Sequence, residues 1–241
     1  MSVSSPASPT STNILGLYFF FSRLLPGTVL LVALIVVLPR EALGFISTPL
    51  ILVVLVVGFG TGQFVHSLAV ILESELITTR KTHRDYFEEH LASVLQTNEA
   101  DGEDADTDPV AEHFADVFRD TYGVGIDELP PDRIYTYIRS RIEIDGRGRT
   151  AQYQALRSFS RSMSVVTSLI LLVFVSAYVG TYVGFLSTVT PLITALSAGE
   201  FVLTCVVLLV CTGIFSYGNE FYKDIYAKYL IIDFVNIIDT K

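Results

Sequence analysis

The stretch TAQYQALRSFSRSMSVVTSLILLVFVSAYVGTYVGF, Thr150 to Phe185, decides how the rest of the chain is read. Arg157 and Arg161 stand one helical turn apart in its first third, and no charged residue follows until Glu200. A segment that is basic at one end and then uncharged for more than the roughly 20 residues that cross a bilayer predicts a helix rising from the cytoplasm into the membrane. At about 1.5 Å per residue it would reach about 54 Å, against a hydrocarbon core of about 30 Å, so its basic third stands outside the lipid.

The whole chain has the balance of a membrane protein: 51% hydrophobic residues, 17% charged residues and a mean hydropathy of +0.52 over 241 residues. The net charge of −9 is concentrated, because nineteen of the twenty-five acids lie between Glu73 and Asp145. That region is expected in water. Arg outnumbers Lys twelve to four, and acidic, Lys-poor soluble segments resemble those of salt-loving archaea, where salt screens the self-repulsion. Cys205 and Cys211, six apart in an apolar run, point in different directions on a helix and are expected to be buried thiols.

Outward from the central stretch, apolar runs predict three more spans. Leu24 to Leu38 gives the first, interrupted near its start by Arg23 and bent at Pro26-Gly27, with the aromatic cluster Tyr18 to Phe21 lying along the interface. Ser47 to Leu72 gives the second and Phe201 to Tyr217 the fourth. Arg80, Lys81 and Arg84 flank the middle segment on one side, and Arg147, Arg149, Arg157 and Arg161 on the other. The short loops carry Arg40 alone, so the positive-inside rule puts both termini and the middle segment in the cytoplasm.

The expected fold is therefore all-α: a four-helix integral membrane protein of two transmembrane hairpins with a helical cytoplasmic insertion. Its parts are a disordered tail over 1–13, without a cleaved signal peptide, and a first hairpin over 14–72. An insertion over 73–149 follows, with an acidic linker at 97–109, then a stalk and second hairpin over 150–219 and a C-terminal helix over 220–241. Within the insertion, Phe87, His90, Leu91, Val94 and Leu95 recur at helical spacing, as do Phe114, Val117, Phe118 and Tyr122, and Ile134, Ile138 and Ile142. So few large apolar side chains make a thin core, expected to pack on its own stalk or on a neighbouring copy.

Polar groups inside the apolar runs are the candidate functional residues. Gln63 and His66 lie three apart near the end of the second span, as candidates for an ion or proton pathway or for interhelical hydrogen bonds. Gly58 with Gly62, and Gly180 with Gly184, are spaced four apart and predict close helix packing. Arg147, Arg149, Arg157 and Arg161 are candidates for setting topology or gripping lipid headgroups. Glu73, Asn219 and Glu220 stand at helix ends, where acids are ordinarily solvated. His83, His90 and His113 match no metal-ligand spacing and are expected to be solvated side chains, and no nucleotide-binding or hydrolase motif occurs. No catalytic residue, metal or cofactor is expected, and the acidic soluble part argues against nucleic acid.

RLLPG at residues 23–27, the G-Q-x-x-H-S stretch ending the second span, and YQALRSFSRSM from Tyr153 to Met163 resemble a group of uncharacterised multi-pass membrane proteins of microbes, haloarchaeal in composition. The resemblance covers the membrane-proximal parts and implies two hairpins around a cytoplasmic insertion, without an activity. The expected function is a membrane-anchored interaction or regulatory module, homo-oligomeric in the bilayer, whose cytoplasmic helices meet a protein partner. The alternative is a small channel or transporter subunit with a pathway near Gln63 and His66. The Val, Leu and Ile that dominate each span rank it second.

Overall fold

The computed structural model describes residues 18–37, 50–75, 81–99, 109–145, 148–184 and 196–239. These residues form seven α-helices: α1 (Leu25–Val37), α2 (Leu50–Glu75), α3 (His83–Glu99), α4 (Pro109–Tyr122), α5 (Pro131–Asp145), α6 (Thr150–Tyr182) and α7 (Ala198–Asp239). The expected tail over 1–13, the turn at Pro39, Arg80, Arg147, and residues 100–108 of the acidic linker lie outside the described residues. The linker's first residues, Thr97 to Glu99, form the end of α3, and its last, Pro109, begins α4, a position where a missing N–H costs nothing.

Three described helices, not four, are long and apolar enough to cross a membrane: α2, α6 and α7. α1 has 13 residues, about 20 Å at about 1.5 Å per residue. Even with the turn before it, the apolar helical run is only Phe20–Ile35. Near its start stands Pro26, which has no N–H to offer the Ser22 carbonyl one turn back. The chain widens ahead of it into a π turn over Phe20–Leu24, closed by the Leu25 N–H donating to the Phe20 carbonyl. The bend expected at Pro26-Gly27 is this widened turn, with Arg23 inside it.

The helices gather into two compact units. A span unit draws on Gly16–Thr78 and Ala155–Glu220, and an insertion unit on Thr79–Gln154 and Phe221–Lys241. α6 and α7 each contribute to both.

In the span unit α1 and α2 meet backbone to backbone. A Cβ on Gly27 would lie 1.9 Å from the Gly58 carbonyl oxygen, and one on Gly62 would lie 1.8 Å from that of Arg23, so only hydrogen fits at either place. Leu30, Val65 and Val166 fill the space where α1, α2 and α6 converge. α6 and α7 run antiparallel and are joined by hydroxyl pairs: Ser164 to Ser216 at 2.8 Å, and Thr212 donating to Thr167 at 2.8 Å. Phe159 meets Phe215 edge-on, and Tyr178 stacks on Phe201 with ring centroids 3.8 Å apart. Val202, Leu203, Val206, Val207, Leu209 and Val210 of α7 are exposed. Hydroxyls of this hairpin thus pair across the α6–α7 contact while much of the apolar surface of α7 faces outward, an arrangement that lipid favours.

The insertion unit obeys the opposite rule. Its centre is the last third of α7, where Tyr226, Ala227, Leu230, Ile231, Phe234 and Val235 are buried. Phe87 and Leu91 of α3, Phe114 and Phe118 of α4, and Ile134, Ile138 and Ile142 of α5 close around it. The stripes visible in the sequence thus find their cover in the C-terminal stretch, which is this unit's own core element. Phe234 meets Phe114, Phe118 and Tyr122 with centroids 5.9, 6.0 and 6.1 Å apart.

Candidate functional site

The densest polar grouping of the span unit lies where α2 ends and α6 begins its apolar run. The Glu73 carboxylate accepts a hydrogen bond from Arg161 Nη1 at 2.8 Å and lies 3.5 Å from Arg157 Nη2. Asn219 Nδ2 of α7 donates to its other oxygen at 3.4 Å. Two arginines reach one carboxylate because residues four apart stack on one helix face. Their side chains are 15% and 14% exposed and that of Glu73 19%. At such burial, removing one partner leaves a charge without compensation, so the cluster ties α2, α6 and α7 together. Glu73 is not the solvated helix end that its position suggested, and its partner Arg161 is 88 residues away in sequence.

One turn and more back along α2, His66 is half-buried with Nδ1 3.5 Å from Ser162 Oγ. Gln63, three residues earlier, is exposed. The two do not share one environment: His66 turns toward α6 and Gln63 outward. Gly58 and Gly62 make the contact with α1 described above. Gly180 is half-buried within α6, whereas Gly184 lies past its end at φ +72°, its N–H donating to the Thr181 carbonyl at 3.1 Å. A Cβ on Gly184 would meet no described atom within 4 Å, so that glycine turns the chain out of the helix rather than seating a neighbour.

Arg149 belongs to the insertion unit. It is exposed, and its Nη1 donates to the Tyr229 hydroxyl at 3.4 Å. Beside it, Asp233 of α7 accepts from the Thr150 N–H at 2.8 Å and from its hydroxyl at 2.5 Å, capping the start of α6 from across the unit. Gly148, at φ +117°, lets that carboxylate in, because a Cβ there would lie 2.5 Å from the Asp233 Oδ2. The start of α3 is capped locally: Thr82 N–H donates to the Asp85 carboxylate, which holds that acid below its ordinary value, and the Asp85 N–H donates to the Thr82 hydroxyl.

The histidines expected as solvated side chains have partners. His90 Nε2 lies 2.8 Å from Asp224 Oδ1 and His113 Nε2 lies 2.8 Å from Asp239 Oδ2, so α3 and α4 are each joined to α7. The His83 ring sits 5.6 Å from that of Tyr135 and 6.1 Å from that of Tyr226. Among the described residues no three His, Cys, Asp or Glu side chains group as metal ligands.

Sequence reasoning overlooked the hydroxyl ladder of α6 and α7, although the run SFSRSMSVVTS was there to signal it. It also overlooked Asp233, for which no local pattern exists. Compared with family models, with curated proteins and with solved structures, the chain gives no match.

Proposed function

We propose that this chain is a polytopic membrane protein acting as a membrane-anchored interaction or regulatory module. The observation that carries the reading is the composition of the insertion unit, a closed helical core built from the middle of the chain and the last third of α7. Because one compact unit takes residues from before α6 and from the end of α7, the hairpin between them leaves and returns on the same side. The basic residues Lys81, Arg84 and Arg149, with Arg157 and Arg161, favour the cytoplasm for that side. In this reading the short apolar run containing α1 makes a fourth crossing, accommodated by local thinning of the bilayer, and the N-terminus is cytoplasmic as well.

Ile144, 79% exposed, and Tyr137, 42% exposed, are large side chains of α5 open to a partner. A photo-crosslinking residue at Ile144 is expected to give a discrete adduct in intact cells, while proteoliposomes holding the purified chain pass no ions. Ion flux that a Gln63→Leu, His66→Leu double variant loses would overturn the reading in favour of a pathway.

A further inference from the structure

Gln63 carries a primary amide in the middle of a span. The part of α2 that is long and apolar enough to cross the bilayer is Leu55–Ser74. At about 1.5 Å per residue Gln63 stands about 12 Å from one end and about 16 Å from the other, too deep for its short side chain to reach the headgroups. That side chain is exposed and has no hydrogen-bond partner among the described residues, and the same holds for the Ser67 hydroxyl one turn later. Ser168, also exposed, instead donates back to the Ser164 carbonyl of its own helix at 2.9 Å. Acyl chains offer an amide neither donor nor acceptor, so Gln63 against lipid loses water without replacement.

Around these two residues the outer face of α2 has the form of a contact. Val56, Gly60, Gln63, Ser67, Val70 and Ser74 alternate spacings of four and three, and all six are exposed. This is the 3.5-residue period along which two helices lie side by side. A Cβ on Gly60 would meet no described atom within 4 Å, so a second helix has room to approach there. Gly58 and Gly62, which receive α1, lie on the opposite side of α2.

We propose that this face of α2 binds the same face of a second copy of the chain, the two α2 helices lying parallel about a two-fold axis along the membrane normal. Depth and chemistry together select a second copy. Copies inserted in the same direction hold Gln63 at equal depth, so a two-fold contact sets amide against amide, and an amide, with donors and an acceptor, is its own complement. Each Gln63 donates to its mate's carbonyl oxygen, and Ser67 meets Ser67 one turn on. A polar pair at such a position also fixes the register of the two helices. The contact requires only that α2 crosses the membrane, whatever the insertion unit meets.

The test uses the full chain with Cys205 and Cys211 replaced by Ala, purified and reconstituted in proteoliposomes. Ser67→Cys in that background should give a disulfide-linked dimer on mild oxidation, while Val206→Cys on the outward face of α7 should not. Energy transfer between labelled copies, followed as lipid dilutes them, measures the association. Gln63→Leu, which makes the span more apolar and leaves the chain's own packing untouched, should weaken it roughly fivefold to tenfold, the worth of two hydrogen bonds between spans. Gln63→Asn, which keeps the amide, should lose less, and Gly60→Leu, which blocks close approach, at least as much. A chain that stays monomeric at every dilution, a Ser67→Cys dimer no more abundant than the Val206→Cys one, or an association that Gln63→Leu leaves unchanged overturns the proposal. In native membranes, a Ser67→Cys adduct to another protein in place of the dimer overturns it in favour of a different occupant.

Discussion

α7 passes through both units of this molecule and is built on opposite rules in each. Between Val202 and Val210 most of its large apolar side chains are exposed, and just beyond, the hydroxyls of Thr212 and Ser216 turn to α6. Between Tyr226 and Val235 its large apolar side chains are buried, while Asp224 and Asp239 meet histidines at the rim. The difference teaches what holds each part. In the insertion unit large side chains leave water, which stabilises by roughly 1.5–3 kcal/mol for each one fully buried. In the span unit lipid removes that incentive, and stability comes from close backbone approach, hydroxyl pairs and a few compensated charges.

Substitutions can break the comparison. Phe234→Ala should cost about 3–5 kcal/mol, because it opens a cavity among Phe114, Phe118 and Tyr122. Limited proteolysis of the protein in detergent should then degrade the insertion unit while α2 and the apolar part of α6 stay protected. Simultaneous loss of both units would mean that they do not differ in the way described.

Gly62→Leu should cost about 3 kcal/mol or more, since its Cβ would fall 1.8 Å from the Arg23 carbonyl oxygen. Gly60→Ala, where a Cβ meets nothing within 4 Å, should stay within about 1 kcal/mol of the parent and could stabilise α2. Thermal unfolding of the two variants side by side checks this. Equal effects would remove the backbone contact as the tie between α1 and α2.

Thr212→Val tests the hydroxyl ladder and should cost only about 0.6 kcal/mol, the usual worth of a hydrogen bond between spans. A loss several times larger would show that the ladder, rather than apolar packing, holds the second hairpin.

pH sharpens the same contrast from the insertion side. Burial pushes the Tyr122 phenol above its ordinary value, as its ring stacks on Phe234 and its hydroxyl donates to the Tyr137 carbonyl at 3.1 Å. A raised folded value means that the contribution is fully present below the ordinary tyrosine value of about 10 and is lost as pH rises through the higher one. Near-ultraviolet circular dichroism should show the insertion unit loosening above about pH 10, and Tyr122→Phe should blunt that change. An unchanged alkaline transition in the variant would exclude this phenol as a cause.

Much of the fold could be read locally. The uncharged run after Arg161, the Phe and Ile stripes of α3, α4 and α5, and the glycine pair Gly58 and Gly62 all carry their meaning within a few turns of helix. The expected first span is, among the described residues, shorter than the three other apolar helices, with Arg23 just before α1 and Pro26 in its first turn. The candidate site was far less legible. Arg157 and Arg161 looked like topology signals, and nothing near them in the chain indicates that Glu73 is their partner. The histidines of the insertion looked solvated for the same reason, since Asp224 and Asp239 are 134 and 126 residues from them.

By itself the amino-acid sequence determined the helical class, the position of the long apolar runs and which face of each insertion helix is apolar. These follow from the spacing of side chains along a 3.6-residue turn, which is a property of neighbours in the chain. Only the tertiary structure decided that Gly27 meets Gly58 and Gly62, that Asp233 caps α6, that the end of α7 is the core of the insertion unit, and that Glu73 joins two arginines. Each is a pairing between distant segments, selected by which surfaces fit and which charges lose water together, and no local period encodes that choice.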